Sequence, residues 1–185
     1  EVRHRAGSGA PASIRISEPS VLFYPRPLHH VFINPPRDGS DFTCATLDFD
    51  GGERNPLVQA LPAFVRLPLD RVEGLSPALD LLFAETERVR CGSRLLADRL
   101  FEVVLIQLLR WIIDHGDEAG VTHGLVKGLA DPRLARALVA MHAEPAKDWT
   151  LAALAGQAGM SRSAFAEAFK ATTGTTPAAY LTDWR

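Results

Sequence analysis

The 185-residue chain has only two cysteines, Cys44 and Cys91. That is too few for a disulfide framework, and their wide separation fits no metal-ribbon spacing, so a reducing cytoplasm is the expected location. Excess charge of one sign is also missing. Twenty basic against 22 acidic residues give a formal net charge of −2, which excludes a surface that traps nucleic acid everywhere but leaves room for a local DNA-binding face. No long hydrophobic run exists. The most apolar stretch, Val103 to Ile113, is interrupted by Gln107 and Arg110 and falls well short of the ~18 residues of a membrane span. A charged segment followed by an apolar one is absent from the start, so no signal peptide is expected. The first residue is Glu1 rather than Met, and residues 180–185 read as a helix still under way. The expectation is a chain cut at both ends. What is present, 46% hydrophobic and 23% charged residues, matches a soluble domain with a real core.

Proline and glycine crowd the first half and become sparse from Ser76 onward, which marks a change of architecture. Before it lie β-rich runs at Ala12–Ile16, Val21–Tyr24, His30–Asn34, Phe42–Phe49 and Phe64–Leu67, separated by turn clusters such as Pro35-Pro36-Arg37-Asp38-Gly39 and Asp50-Gly51-Gly52. An antiparallel sheet or barrel follows from that pattern. Along Thr43–Phe49 one face is the more apolar, and Cys44 falls on the other.

The second half predicts helices. Ser76-Pro77 reads as a cap followed by proline at the first helical position, with a stripe of Leu79, Leu82, Phe83 and Thr86. Ser93 could cap a helix running to about His115, with Leu96, Leu100, Val103, Val104, Leu108 and Trp111 on one side. Its apolar surface is wide enough for either a dimer contact or packing between neighbouring layers. Gly116 to Gly120 reads as a linker. Asp131-Pro132 opens the next helix, whose apolar face is Leu134, Leu138 and Met141. Thr150 then caps Leu151–Ala158, where Leu151, Leu154 and Ala155 point one way, and Gly159 offers a left-handed residue. Met160 is the buried turn residue, and Ser161 caps a helix from Arg162 to about Thr173. Helix, glycine turn and capped helix form the helix-turn-helix plan, whose second helix enters the DNA major groove. Phe165 and Phe169 would anchor that helix, which leaves Ser161, Arg162, Ser163, Ala166, Glu167 and Lys170 as candidate DNA-binding residues.

The run from Asp131-Pro132-Arg133-Leu134 through Met141-His142, Pro145, Trp149, Leu154-Ala155, Gly159-Met160-Ser161-Arg162-Ser163-Ala164-Phe165, Phe169-Lys170, Gly174, Thr176-Pro177, Tyr180-Leu181 and Trp184-Arg185 resembles the start of the DNA-binding domain of AraC-type (AraC/XylS) transcription regulators. The resemblance implies two helix-turn-helix motifs joined by a linker helix, of which this sequence holds the first and, from Pro177, the opening of the linker. Glu167 departs from the family pattern, which commonly has a basic residue there. It either meets base edges or pairs with a nearby Arg or Lys on the surface. From Thr150 to Arg185 the net charge is only +1, so weak binding by this piece alone is expected.

More thinly, Pro25-Arg26-Pro27-Leu28-His29-His30 with Asn34 resembles the second cupin motif, although Pro27 replaces the usual glycine. His4 is the sole upstream histidine and no His-x-His occurs, so the ligand set of a three-ligand metal site is incomplete. His29, His30, Asn34 and Cys44 are therefore candidate effector-binding residues rather than metal ligands. Cys44 is either a reactive thiol near His30 or, as is commoner on a strand, a small buried hydrophobe.

The resulting expectation is an α+β chain. Residues 1–75 form a cupin-like sensor β-region, 76–120 a helical packing or dimerisation region with linker, and 121–185 the first half of an all-α DNA-binding domain. The implied function is a transcription regulator, a homodimer whose partners are promoter double-stranded DNA, a small-molecule effector and RNA polymerase. No cofactor, metal, catalytic residue or membrane is expected. The competing reading is a cupin-type metal-dependent oxygenase or isomerase.

Overall fold

The computed structural model describes residues 1–34, 42–88 and 90–185. In chain order its elements are β1 (Val2–His4), β2 (Ser13–Ile14), β3 (Ser20–Phe23), β4 (His30–Phe32), α1 (Pro56–Ala60), β5 (Val65–Pro68), α2 (Leu75–Glu87), α3 (Ser93–Asp114), α4 (Leu125–Ala130), α5 (Pro132–Ala143), α6 (Leu151–Ala158), α7 (Arg162–Thr173) and α8 (Pro177–Trp184). Single 3-10 turns stand at Gly52–Arg54 and Leu69–Arg71. The chain divides into two compact units: Glu1–Glu53 with Pro62–Trp111, and Arg54–Leu61 with Ile112–Arg185.

In the first unit, β1 lies between β2 and β4 in an antiparallel sheet, while β3 pairs with β5. The register sets Val2 opposite Phe32, Arg3 opposite Val31 and His4 opposite His30. Because side chains alternate along a strand, Val2 and His4 are buried while Arg3 faces solvent. Behind the sheet an aromatic cluster forms. His4 lies 2.6 Å by Nδ1 from the Pro11 carbonyl and 3.0 Å by Nε2 from the Tyr24 hydroxyl, and Tyr24 stacks on His30 at 4.4 Å. Burial pushes the Tyr24 phenol up to about 12.

Several expectations need correction in this unit. The run Ala12–Ile16 contracts to a two-residue strand, and Phe42–Phe49 joins no ladder among the described residues. Thr43, Leu47 and Phe49 are half-buried there while their neighbours are exposed. Alternation along one segment does not supply the second strand that a ladder needs. Cys44 is exposed in that segment, so it is no buried hydrophobe. The Pro35–Gly39 turn lies outside the described residues. Helix α2 starts at Leu75 after a left-handed Gly74, and Ser76 is not its cap. Thr86 is exposed, and it is Glu85 that is buried, held by Ser93 Oγ–H and the Arg90 guanidinium. On α3, Leu100, Val104, Leu108 and Trp111 are buried as expected, whereas Leu96 and Val103 are exposed.

The second unit follows its local signals closely. Asp131 Oδ1 accepts from the backbone N–H groups of Arg133 and Leu134 at 2.8 and 3.4 Å, which starts α5. Burial works against this carboxylate, but hydrogen bonds from the Arg133 side chain and those two amides outweigh it and hold Asp131 below its usual range. Leu134, Leu138, Met141, Leu154, Ala155, Phe165, Phe169 and Leu181 close one core. Leu151 does not join it: it lies on the same side of α6 as Leu154 and Ala155, but in the first turn, where it is exposed. Helix α4 crosses this core closely. A Cβ added at Gly128 would stand 2.8 Å from Leu138 Cδ1 and 3.3 Å from Thr173 Cγ2, so a larger residue there would overpack the crossing. Helix α1 belongs to this unit as well. Asn55 Oδ1 caps it by accepting from Leu57 N–H at 2.9 Å, and Leu57 and Ala60 pack against the helical core.

Candidate nucleic-acid interface

The geometry of the α6–α7 pair comes from side chain to backbone bonds. Thr150 Oγ1 accepts from Ala153 N–H at 3.1 Å and begins α6. Gly159 ends it at φ 66°, ψ 35°, a left-handed conformation that costs glycine little. Ser161 Oγ then accepts from Ala164 N–H at 3.3 Å and begins α7 two residues after the turn. Phe165 and Phe169 are fully buried, four residues apart on the inner face. Each such ring contributes about 1.5–3 kcal/mol of burial. Together they fix the rotation of α7 about its own axis, and with it the face turned outward.

On that face Ser161, Arg162, Ser163, Glu167 and Lys170 are exposed and Ala166 is half-exposed. Helical spacing sets Ser163, Glu167 and Lys170 opposite the buried Phe165 and Phe169, with Ala166 at their flank, while Ser161 and Arg162 stand exposed at the start of the helix. Ser161 already spends one acceptor position on its cap. Among the described residues none of Arg162, Glu167 and Lys170 makes an ion pair. The surface pairing considered for Glu167 is not formed. Met160, expected as a buried turn residue, is half-buried.

Two features of this region carried no signal in the single sequence. Arg136, on α5, reaches across to donate from its guanidinium to the Ala158 carbonyl at 3.0 Å, which satisfies the end of α6 beside the turn. Its place on α5 looks like that of any solvated arginine. The second is the docking of α8, opened by Pro177 behind a Thr176 cap. His142 Nε2 lies 2.7 Å from the Tyr180 hydroxyl, and the His142 ring stacks on Trp184 at 3.8 Å. The Arg185 guanidinium donates to the carbonyls of Pro145 and Lys147 at 2.6 and 2.9 Å. Burial holds His142 below, and Tyr180 above, their ordinary titration ranges.

The effector candidates are less united. His29 borders an open groove of about 490 Å³ with Arg3, His4, Arg5 and Val31. His30 stands in the aromatic cluster with Nδ1 2.8 Å from the Leu28 carbonyl. Asn34 and Cys44 are exposed and border neither. Among the described residues no three His, Cys, Asp or Glu side chains gather to hold a metal ion.

A β-rich portion followed by a capped helix-turn-helix defines a DNA-binding protein with an appended sheet domain. Comparison with known proteins agrees. The family described as "Cupin" matches residues 2–114, and "Bacterial regulatory helix-turn-helix proteins, AraC family" matches residues 141–182. The chain belongs to the AraC family of helix-turn-helix transcription regulators with an N-terminal cupin domain. It is 39% identical over 131 residues to an AraC-like transcription regulator of Streptomyces lividans, covering 70% of this chain and 42% of that protein. It is 34% identical over 135 residues to the HTH-type transcriptional regulator AlkR of Acinetobacter baylyi, covering 71% and 43%. A more distant relative, 26% identical over 170 residues, is the RCS-specific HTH-type transcriptional activator RclR of Escherichia coli, with 90% and 58% covered. The matched part amounts to less than half the length of the first two relatives. These relatives are transcription regulators rather than enzymes. No solved structure gives a significant match. No helix among the described residues is long and apolar enough to cross a membrane.

Proposed function

We propose that this chain forms the sensor and the first DNA-reading motif of a cytoplasmic regulator that binds promoter DNA sequence-specifically. The observation that carries the reading is the α6–turn–α7 arrangement, capped at both starts, with Ser163, Glu167 and Lys170 opposite its buried phenylalanines and Ser161, Arg162 and Ala166 reaching solvent beside them. Helix α7 lies in the major groove, with Arg162 and Lys170 toward phosphates and the residues between them toward base edges. By function, residues 1–75 sense, 76–120 dimerise and link, and 121–185 bind DNA, with α1 lent by the first region to the last.

The sensor takes a small-molecule or redox signal through His29, His30, Asn34 and Cys44. The homodimer forms on the exposed side of α3, where Leu96, Val103 and Ile106 follow a heptad-like spacing suited to a helix–helix seam. RNA polymerase is the expected partner at the promoter. DNase footprinting with the full-length protein that contains this chain tests the DNA reading. A protected stretch upstream of a regulated gene is expected, and protection no better than on unrelated duplex would overturn it.

A further inference from the structure

We propose that Glu167 is the specificity-determining side chain of α7 and that it reads a cytosine through the exocyclic amino group. This rests on the reading of α7 as a major-groove helix and adds the base it selects. The first observation is the state of the carboxylate. At i,i+3 spacing Arg99 and Glu102 close to 2.6 Å, and Glu144 and Lys147 close to 3.0 Å. Glu167 and Lys170 have the same spacing on one helix face, yet no ion pair forms between them. Glu167 is an exposed charge with no partner of opposite sign among the described residues.

The second observation is what surrounds it. Its helical neighbours at i−4, i−3, i+3 and i+4 are Ser163, Ala164, Lys170 and Ala171. All four are exposed. A border that is small at three of its four positions lets the helix backbone approach the groove floor closely. Glu167 is then the long side chain at its centre. Arg162 and Lys170, the two cations of α7, sit toward its opposite ends, where they can meet the phosphates whose charge would otherwise repel the carboxylate.

The chemistry of the groove selects among the four bases. An ionised carboxylate only accepts hydrogen bonds. Guanine presents two acceptors there, and thymine an acceptor and a methyl group, so both reject it. Adenine offers its N6 amino group, but beside the N7 acceptor, which repels the second carboxylate oxygen. Cytosine offers N4–H₂ with no acceptor of its own on that edge. Cytosine is the base that fits.

The test is selection from a randomised double-stranded DNA library by the full-length protein containing this chain, compared with three variants of it. The parent protein is expected to enrich sequences with cytosine at one fixed position. E167A relaxes that position alone, with a loss of about 5- to 150-fold against the parent's preferred duplex. E167Q, nearly isosteric, moves the preference there to adenine, since an amide can donate to N7 and accept from N6–H₂. K170A weakens all sequences alike, reduces the salt dependence and keeps the cytosine. If the parent enriches a sequence and E167A and E167Q enrich the same one, or merely bind everything more weakly, the assignment of Glu167 is overturned while the DNA-binding reading stands. A parent protein that enriches nothing overturns both.

Discussion

The two units handle their apolar side chains in opposite ways. In the unit containing α5–α8, Phe165, Phe169, Leu134, Leu138 and Met141 are all fully buried, and the large hydrophobics left in solvent are Val139 and Leu151. In the unit containing β1–β5, Val31, Phe32, Ile33 and Phe42 are exposed on or near the sheet, as are Leu95, Leu96, Val103 and Ile106 on α3. The first closes its core by itself. The second keeps surface that a monomer gains nothing by showing to water. The difference is between a closed helical core and a unit whose apolar side chains stay open to contact.

The comparison can be broken most strongly at the closed core. Phe169→Ala should cost the helical unit about 3–5 kcal/mol, because a fully buried ring leaves a cavity its neighbours fill only in part. Amide hydrogen exchange would locate the loss in α5–α8. A loss spread evenly over β1–β5 as well would mean that the units do not differ in this way. Acidification is expected to act less strongly, on α8. Burial keeps His142 below its ordinary value of 6.5, so the folded unit prefers the neutral ring. Its stabilising effect is complete above 6.5 and is lost as pH falls through that value toward the lower folded one. The melting temperature should therefore drop as pH falls below 6.5, and H142Q should flatten that drop. The smallest change in stability is expected on α3. Ile106→Asp sits on an exposed site, so folding should shift by about 0.5 kcal/mol or less, while sedimentation should show dimer becoming monomer. An unchanged sedimentation coefficient would remove α3 as the seam.

The helical unit was far more legible in the sequence than the sheet unit, and the reason is range. Asp131, Thr150, Ser161 and Gly159 act on backbone groups one to four residues away, so their effect is written locally. The strand β1 owes its existence to residues about thirty positions on, through Val2 opposite Phe32, and no local pattern announces that. Helices α1 and α4 span too few residues to display a period. At the interface, the outward face followed from the four-residue spacing of Phe165 and Phe169. The freedom of Glu167 did not, since pairing at a permitted spacing is decided by side-chain geometry rather than order along the chain.

Helix α1 has one further consequence, for the order in which the protein is made. It emerges from the ribosome within the cupin-matching stretch, long before α4 and α5 exist to receive it. Leu57 and Ala60 must wait unburied until the chain beyond Gly124 arrives, where Ala60 Cβ stands 3.4 Å from the position a Gly124 Cβ would take. The DNA-reading unit is thus sealed by a piece synthesised early, a late non-local contact of the kind that slows folding. A fragment begun at the linker would be born without that seal.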